Sequence, residues 1–171
     1  MYSEPPVIRE AEERDAQALL NLRLTLDRES NFMMVESGER AMTVDDQLRE
    51  IASFKSRDNA TILAAESGGQ LVALLELDGG AFRRNRHSAT IVTGVLAAFA
   101  GRGIGAQLFR EAETWASRHG IHRLELTVMT HNAPTIAFYT RQGFQIEGTR
   151  RDSLLVTDCY VDEYRMAKLL R

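Results

Sequence analysis

Glycine occupies alternating positions in the middle of the chain, directly before a segment with the apolar spacing of a helix. Glycine has no side chain, so the backbone N–H groups of such a loop can turn toward one point. The start of a helix adds unpaired N–H donors and a partial positive charge, and phosphate is the usual guest of such a site. The spacing therefore predicts a phosphate-binding loop made of Gly101, Arg102, Gly103, Ile104, Gly105 and Ala106, in which Arg102 adds a charge at the rim.

The loop sequence also limits which phosphate ligand it can hold. The segment "GRGIGAQ" lacks the Gly-Lys-Ser/Thr ending of a nucleoside-triphosphate loop. It does match the G-x-G-x-x-A pattern of dinucleotide-binding folds, but that pattern follows the first strand of a βαβ unit. Here the glycines come in the middle of the chain, after an apparent antiparallel hairpin, which disfavours a dinucleotide.

The surrounding pattern alternates short β-rich runs with amphipathic helices. Helical spacing covers residues 12–29, 43–54, 104–119 and 132–141, and Thr43 with Asp46 forms a capping-box pattern. Strand patterns cover residues 7–9, 61–66, 71–78, 87–95, 122–129, 144–149 and 160–170. The order is β, α, α, β, β, β, α, β, α, β, β. This order predicts an α+β protein in which helices are layered on a mixed sheet.

Two segments together resemble one known family. "VLAAFAGRGIGAQLF" is similar to the acyl-CoA pyrophosphate loop of the GCN5-related N-acetyltransferase (GNAT) family, and "HNAPTIAFYTRQGF" is similar to that family's N-x-x-A-x-x-x-Y-x-x-x-G-F segment. The resemblance spans most of the chain, and the pattern is similar to the ribosomal-protein-type and small-molecule amine N-acetyltransferases. It implies an α/β/α layered acyl-CoA N-acyltransferase fold. The sheet would be mostly antiparallel, with about seven strands and a splay between the fourth and fifth.

The resemblance implies transfer of an acetyl group from acetyl-CoA, as co-substrate, to a primary amine. The amine would belong to a small molecule or a protein N-terminus and would attack directly in a ternary complex. By resemblance, the backbone of Thr93, Gly94 and Val95 binds the thioester end of the cofactor, and Asn132 contacts the cofactor arm. Tyr139 also contacts the cofactor and is the general acid that protonates the CoA thiolate, because a phenol and a thiol have similar ordinary pKa values.

The general base is left open by the sequence. Related ribosomal-protein acetyltransferases often carry a Glu at the position of Thr127, which cannot act as a base. Glu125 lies two residues earlier on the same face of its strand and is the tentative base. Glu76 is a second candidate, and either carboxylate could instead be a solvated strand charge.

One departure from the family pattern keeps a different function class open. The first loop position, usually Arg or Gln, is Ala100. We expect cofactor binding to survive, because the phosphate contacts come mainly from backbone N–H groups. The alternative is a non-catalytic acyl-CoA-binding sensor module, and the presence of Tyr139 argues against it.

Composition sets the remaining expectations. The length of 171 residues suits a single domain over residues 1–171. The net charge of −3 argues against nucleic-acid binding, and the apolar runs are too short for a membrane helix. The one cysteine and the polar N-terminus predict a cytoplasmic protein. The four histidines show no metal-ligand spacing, so no metal is expected. An edge strand could pair two subunits into a homodimer.

Overall fold

The computed structural model describes residues 5–171, so the first four residues of the predicted domain lie outside it. Within this range, seven strands form one sheet in the order β1-β2-β3-β4-β5-β7-β6. The strands are β1 Val7–Glu10, β2 Ala60–Ser67, β3 Gln70–Gly79, β4 Ser88–Val95, β5 Arg123–Met129, β6 Gln145–Val156 and β7 Cys159–Leu169. The α-helices are α1 Ala16–Glu29, α2 Val44–Lys55, α3 Ile104–Arg118 and α4 Ala133–Arg141. The predicted α+β fold with a mixed, mostly antiparallel sheet is confirmed.

The sheet opens between β4 and β5, the one parallel pair of the described sheet. Only Ser88–Thr90 of β4 pair with Arg123–Glu125 of β5. Beyond Thr90, β4 remains bonded to β3 on its other side through Val95. The backbone of β4 from Ile91 to Val95 therefore has no strand partner on its β5 side, and the predicted splay is present.

Helix ends follow the chemistry that the sequence predicts. Thr43 caps α2 by accepting a hydrogen bond from the backbone N–H of Asp46, which in turn accepts from the Thr43 N–H. Asn132 caps α4, with proline in the first turn, where its missing N–H has no consequence. Gly120 ends α3 with a positive φ of 72°. These caps fix where α2 and α4 begin and where β5 follows α3.

Helices cover both faces of the sheet around an apolar core. Arg23 of α1 contacts Glu76 of β3, and Leu26 of α1 lies against Gly94 of β4, so α1 covers the face that carries these residues. Helices α3 and α4 lie on the opposite face, where Phe109 of α3 packs against Tyr139 of α4. The opening at the splay is lined from both faces, by Leu26 of α1 and by Tyr139 of α4.

The β6–β7 hairpin is longer than the sequence pattern indicates. The pattern ends the first of these strands at residue 149, but β6 continues to Val156 and pairs with the start of β7 at Cys159. The two turn residues, Thr157 and Asp158, both have positive φ values, 47° and 62°. A two-residue hairpin turn requires this conformation, and it is usually marked by Asn-Gly or Asp-Gly rather than Thr-Asp. The weaker turn signal explains why the pattern underestimates the strand.

None of the helices among residues 5–171 combines the length and apolar character that crossing a bilayer requires.

Candidate active site

The three loop glycines are needed for two different physical reasons. Gly101 and Gly103 have positive φ values of 72° and 79°, a conformation that costs other residues about 1–2 kcal/mol. Gly105 instead lies inside α3, where a Cβ would come within 3.2 Å of the Phe138 ring. The loop thus needs glycine at its two left-handed turns and at the position where α3 packs closely against α4.

The loop presents backbone donors at the start of α3. Gly103 is the N-cap of this helix and has no side chain to accept a hydrogen bond from the first turn. The N–H groups of Ile104, Gly105 and Ala106 have no acceptor within the helix, because helix geometry leaves the first donors unpaired. The helix dipole adds partial positive charge at this end. An anion such as a diphosphate fits these donors.

Arg102 lies at the edge of the loop, beside Phe99. Its guanidinium stacks over the Phe99 ring at 4.9 Å from the ring centre, and the residue is exposed. The charge is therefore held beside the loop by a cation–π contact. Ala100, which replaces the family's Arg or Gln, is also exposed.

A cavity of about 480 Å³ opens at the splay. The free strand segment of β4, including Thr93, Gly94 and Val95, lines it together with Asn132 and Tyr139. The structure thus brings the predicted thioester-binding, cofactor-arm and general-acid residues to one cavity. A volume of this size is typical of a small-molecule site.

Tyr139 is buried in an aromatic cluster. Its side chain is 8% exposed, and its ring lies 5.8 Å from that of Phe109 and 6.1 Å from that of Phe144, between centroids. Burial raises the pKa of Tyr139 to about 12, because the phenolate form would lose its hydration. Tyr139 therefore keeps its proton throughout the neutral and moderately alkaline range.

Asn132 combines a structural contact with its place in the cavity. It is 7% exposed, and its side-chain Oδ1 accepts from the backbone N–H of Thr135 at 3.4 Å. This bond fixes the amide at the start of α4, on the cavity wall.

The two carboxylates considered from the sequence lie apart from this cavity. Glu125 accepts a hydrogen bond from Nε of Arg123 at 3.1 Å and lines a neighbouring pocket rather than the cavity at the splay. Glu76 is buried beside Arg23, with 2.7 Å between Oε1 and Nη2, and desolvation raises its pKa. Arg23 lines the cavity, whereas Glu76 is not among its lining residues.

Three charged residues of the cavity wall escape the sequence analysis: Arg23, Arg40 and Glu163. Arg40 lies in the connection between α1 and α2, and Glu163 is 4% exposed in β7. Helical spacing places Arg23 beside the apolar positions of α1, where it resembles an ordinary boundary residue. Glu163 follows a strand pattern in which alternate charges look solvated. Their common location depends on long-range packing that local patterns do not report.

Part of the cavity wall is apolar and comes from the α1–α2 connection. Within the segment "ESNFMMVESGER" of this connection, Phe32, Met33, Met34 and Val35 line the cavity. Leu154 of β6 completes the wall from the final hairpin. Elsewhere, no three His, Cys, Asp or Glu side chains of the described residues converge on a point that could hold a metal ion.

The family profile and the relative that match this chain both describe acetyltransferases, in agreement with the geometry of the site. The sequence profile of the acetyltransferase (GNAT) family matches residues 11–144. The chain is 31% identical over 167 residues to the L-amino acid N-acetyltransferase AaaT of Escherichia coli strain K12, covering 95% of this chain and 97% of that protein.

Solved structures show the same architecture over nearly all of the chain. A GNAT-family acetyltransferase from Streptococcus pneumoniae superposes with a TM-score of 0.92 at 28% identity, over 97% of this chain and 99% of that one. The ribosomal-protein-alanine N-acetyltransferase of Brucella melitensis superposes with a TM-score of 0.84 at 27% identity, over 96% and 99%. The profile match and the identity over nearly the full length together lead to one conclusion: the chain belongs to the GNAT family and is an acetyltransferase.

Proposed function

We propose that the protein transfers the acetyl group of acetyl-CoA to the α-amino group of a small L-amino acid, by direct attack in a ternary complex. One observation carries the proposal: the free backbone of β4, Tyr139 and the arginines Arg23 and Arg40 all line the same cavity. The relative at 31% identity, an L-amino acid N-acetyltransferase, supports the choice of acceptor.

The donor half of the proposal rests on the loop and the splay. The backbone N–H groups of residues 101–106 would hold the CoA diphosphate. The pantetheine arm would pass beside Asn132, so that the thioester reaches the free backbone of Thr93, Gly94 and Val95. A backbone N–H there would donate to the carbonyl oxygen as it gains negative charge. One such donor contributes about 3 kcal/mol to the transition state.

Tyr139 would supply the proton that the departing thiolate needs. Its raised pKa means that the proton is present at every working pH. The same burial also disfavours the charged CoA thiolate beside Tyr139, so it raises the pKa of the leaving thiol. The difference in pKa between the tyrosine donor and the thiolate acceptor is therefore smaller. Direct transfer also agrees with the position of Cys159, the one cysteine of the chain, which is exposed at the start of β7.

Arg40 is the group best placed to bind an acceptor carboxylate. Its Nε and Nη2 donate to the two oxygens of Asp27 at 2.6 and 3.0 Å, and the Asp27 side chain is 1% exposed. This bidentate pair fixes the guanidinium and leaves Nη1 for another partner. A fixed guanidinium with a remaining donor suits a carboxylate, because it binds carboxylates with directed, charge-assisted hydrogen bonds.

A protein N-terminus is the second acceptor class, favoured by the similarity to a ribosomal-protein-alanine acetyltransferase. The two classes differ in the group attached to the α-carbon. A free amino acid has a carboxylate there, whereas a peptide has an uncharged amide. The arginines of the cavity favour the carboxylate.

The test is release of CoA thiol by the purified protein across matched acceptors. The panel contains L-methionine, L-phenylalanine and L-histidine, the decarboxylated amine of each, a peptide beginning with alanine, and a polyamine. We expect an amino acid to exceed its decarboxylated partner at least tenfold in kcat/KM, and initial-rate lines to intersect as a ternary complex requires. Higher activity with the peptide than with the amino acids would identify a protein N-terminus as the acceptor instead. Binding of acetyl-CoA without thiol release for any acceptor would favour the sensor.

A further inference from the structure

We propose that Glu163 binds the acceptor amine and removes its proton, and this role rests on the proposed function. Glu163 is the single carboxylate among the described residues that line the cavity at the splay. An α-amino group is mostly an ammonium ion at neutral pH, and it becomes nucleophilic only after losing a proton. The reaction therefore needs a proton acceptor in this cavity.

The sheet register places Glu163 next to the reacting end of the splay. Glu163 is the partner of Met129, the last residue of β5, and Met129 lines the same cavity. By that point β5 has lost its pairing with β4, which ends at Thr90 and Glu125. Strand β7, which carries Glu163, lies on the side of β5 away from β4. Glu163 therefore reaches the cavity from the β5 side, and the free backbone of β4 lines it from the opposite side.

The contacts of Glu163 fix one oxygen and leave the other available. Ser153 Oγ donates to Oε2 at 2.5 Å, and Arg150 Nη1 donates to the same oxygen at 3.2 Å. Within residues 5–171, no hydrogen-bond donor reaches Oε1. The Glu163 side chain is 5% exposed, so its orientation is set by these two donors and by packing. An oriented, buried carboxylate with one free oxygen is suited to accept an N–H from a bound amine.

A local irregularity of β6 creates this arrangement. The register shifts between Arg150, which faces Glu163, and Leu154, which faces Val161. The intervening bulge includes Asp152, whose φ is 49°. The bulge turns Ser153 toward Glu163, and bulges next to active sites commonly redirect a side chain in this way. A regular ladder would not bring Arg150 and Ser153 to the same carboxylate oxygen.

The other candidate carboxylates are engaged elsewhere. Glu125 is paired with Arg123 and lines the neighbouring pocket. Glu76 lies beside Arg23 and is not part of the cavity wall. Neither lines the cavity at the splay, whereas Glu163 shares that cavity with the free backbone of β4.

Atoms and charges balance across the proposed step. The acceptor R–NH3⁺ gives one proton to Glu163 and becomes R–NH2, whose nitrogen attacks the thioester carbonyl carbon and forms the C–N bond. The C–S bond then breaks, and the thiolate takes a proton from Tyr139. The tyrosinate recovers its proton from the attached nitrogen, directly or through water. Glu163 releases its proton to solvent, so that acetylated amine, CoA thiol and one H⁺ are formed.

The charged groups that face Glu163 come from β6 and from the opposite wall of the cavity. Arg150 of β6 donates to its carboxylate, and Arg23 and Arg40 line the same cavity, where Arg23 is paired with Glu50 and Glu76 and Arg40 with Asp27. Tyr139 of α4 shares the cavity as an uncharged phenol, and the β5 residues on this wall, Thr127, Val128 and Met129, carry no charge.

The experiment compares pH profiles of kcat/KM for Glu163→Gln, Glu125→Gln and the wild type, with the best amino acid of the acceptor panel. We expect Glu163→Gln to lose about 10²-fold near pH 7. The loss should shrink to less than tenfold near pH 9.5, because free amine is then supplied by solution. Glu147→Gln, an exposed carboxylate on β6 paired with Arg123, is the matched control and should keep wild-type rates. Binding of acetyl-CoA, measured by calorimetry, reports whether each variant is folded.

Each outcome decides the role of Glu163. A pH-independent loss in a folded Glu163→Gln variant would indicate a structural role and overturn the proposal. A pH-dependent loss in Glu125→Gln instead would assign the base to Glu125. If Glu163→Gln does not fold, Glu163→Asp decides: a roughly tenfold loss with the wild-type profile supports a base, and full activity contradicts one. Absence of thiol release by the wild type with every acceptor would overturn the proposed function itself, and this role with it.

Discussion

At the scale of single residues, the site depends on burial as much as on residue type. A tyrosine at position 139 is visible in the sequence as part of a motif. Its burial comes from the aromatic cluster of Phe109, Phe138 and Phe144, of which only Phe138 and Phe144 are near it in the sequence. Arg40 is likewise held in place by its pairing with Asp27, which lies in a different element.

Replacing Tyr139 by Phe should lower kcat about 10²-fold and leave KM nearly unchanged, because it removes the proton donor and keeps the ring. Steady-state kinetics of thiol release measures both constants. Calorimetric titration with acetyl-CoA is the control, and its dissociation constant should match the wild type. An unchanged kcat would exclude Tyr139 as the acid.

The buried phenol should also make stability depend on alkaline pH. In the folded protein the pKa of Tyr139 is raised to about 12, whereas in the unfolded chain it is near 10. Between these values the unfolded state loses the proton and the folded state keeps it, so stability falls as pH rises. Denaturant unfolding should show that wild type loses up to about 3 kcal/mol more than Tyr139→Phe between about pH 10 and pH 12. An equal loss of stability in the wild type and in Tyr139→Phe would contradict the conclusion that burial raises the pKa of Tyr139.

At the scale of elements, the position of the glycine loop is readable from the sequence, but the separate role of each glycine is not. The alternating pattern by itself indicates an anion site. Only the backbone shows that Gly101 and Gly103 supply left-handed turns, while Gly105 gives room to Phe138. A sequence motif shows where glycine occurs but not which physical requirement the glycine meets.

Gly103→Ala should weaken acetyl-CoA binding by about tenfold, since the left-handed φ at the α3 N-cap strains alanine by about 1–2 kcal/mol. Isothermal titration gives the dissociation constant. Gly148→Ala is the matched control: the backbone there is not left-handed, and an added Cβ meets nothing within 4 Å. Equal effects of the two substitutions would show that the loop conformation does not set cofactor affinity.

The ion pair of Arg40 and Asp27 joins the α1–α2 connection to α1. Substitutions at this pair can distinguish a contribution to stability from a contribution to acceptor binding. Arg40→Gln alone should lower the free energy of unfolding by about 3 kcal/mol, because it leaves the Asp27 carboxylate buried without a partner. The double variant Asp27→Asn/Arg40→Gln should recover most of that stability. Its KM for the amino acid should still rise about 10- to 100-fold, because the charged donor is gone.

Thermal unfolding and steady-state kinetics on the same preparations measure the two effects. The dissociation constant for acetyl-CoA should stay at the wild-type value in the double variant. A KM that recovers together with stability would show that Arg40 supports the fold and does not contact the acceptor.

The final hairpin shows where local sequence reasoning ends. Strand alternation locates β7 to within a residue or two, and Asn132 with its following proline locates α4. The bulge at Asp152 and the orientation of Glu163 depend on how β6 meets β7 and how β7 meets β5. These are contacts between segments far apart in sequence, so no local pattern contains them. The placement of Glu163 in the cavity wall is therefore the part that required the structure.

At the scale of the whole molecule, function follows from one interrupted pairing. The order of elements along the chain could be inferred from the sequence pattern, and the parallel contact at the splay from the family resemblance, whereas the position of β7 between β5 and β6 could not. The short contact, from Ser88 to Thr90, leaves the β4 backbone from Ile91 to Val95 without a strand partner on this side, where we propose that the thioester binds. Arg23 and Leu26 of α1 and Tyr139 of α4 line the cavity at this opening, so the two faces of the sheet meet at the splay. In the proposed reaction, donor and acceptor come together there.

The most direct test of cofactor binding at the splay is a crystal structure of the protein soaked with CoA. We predict diphosphate oxygens within about 3 Å of the backbone N–H groups of residues 101–106. We also predict that the thiol lies at the splay, between the free edge of β4 and Tyr139. A diphosphate bound away from this loop, or a thiol that does not reach the splay, would contradict the proposed mode of binding.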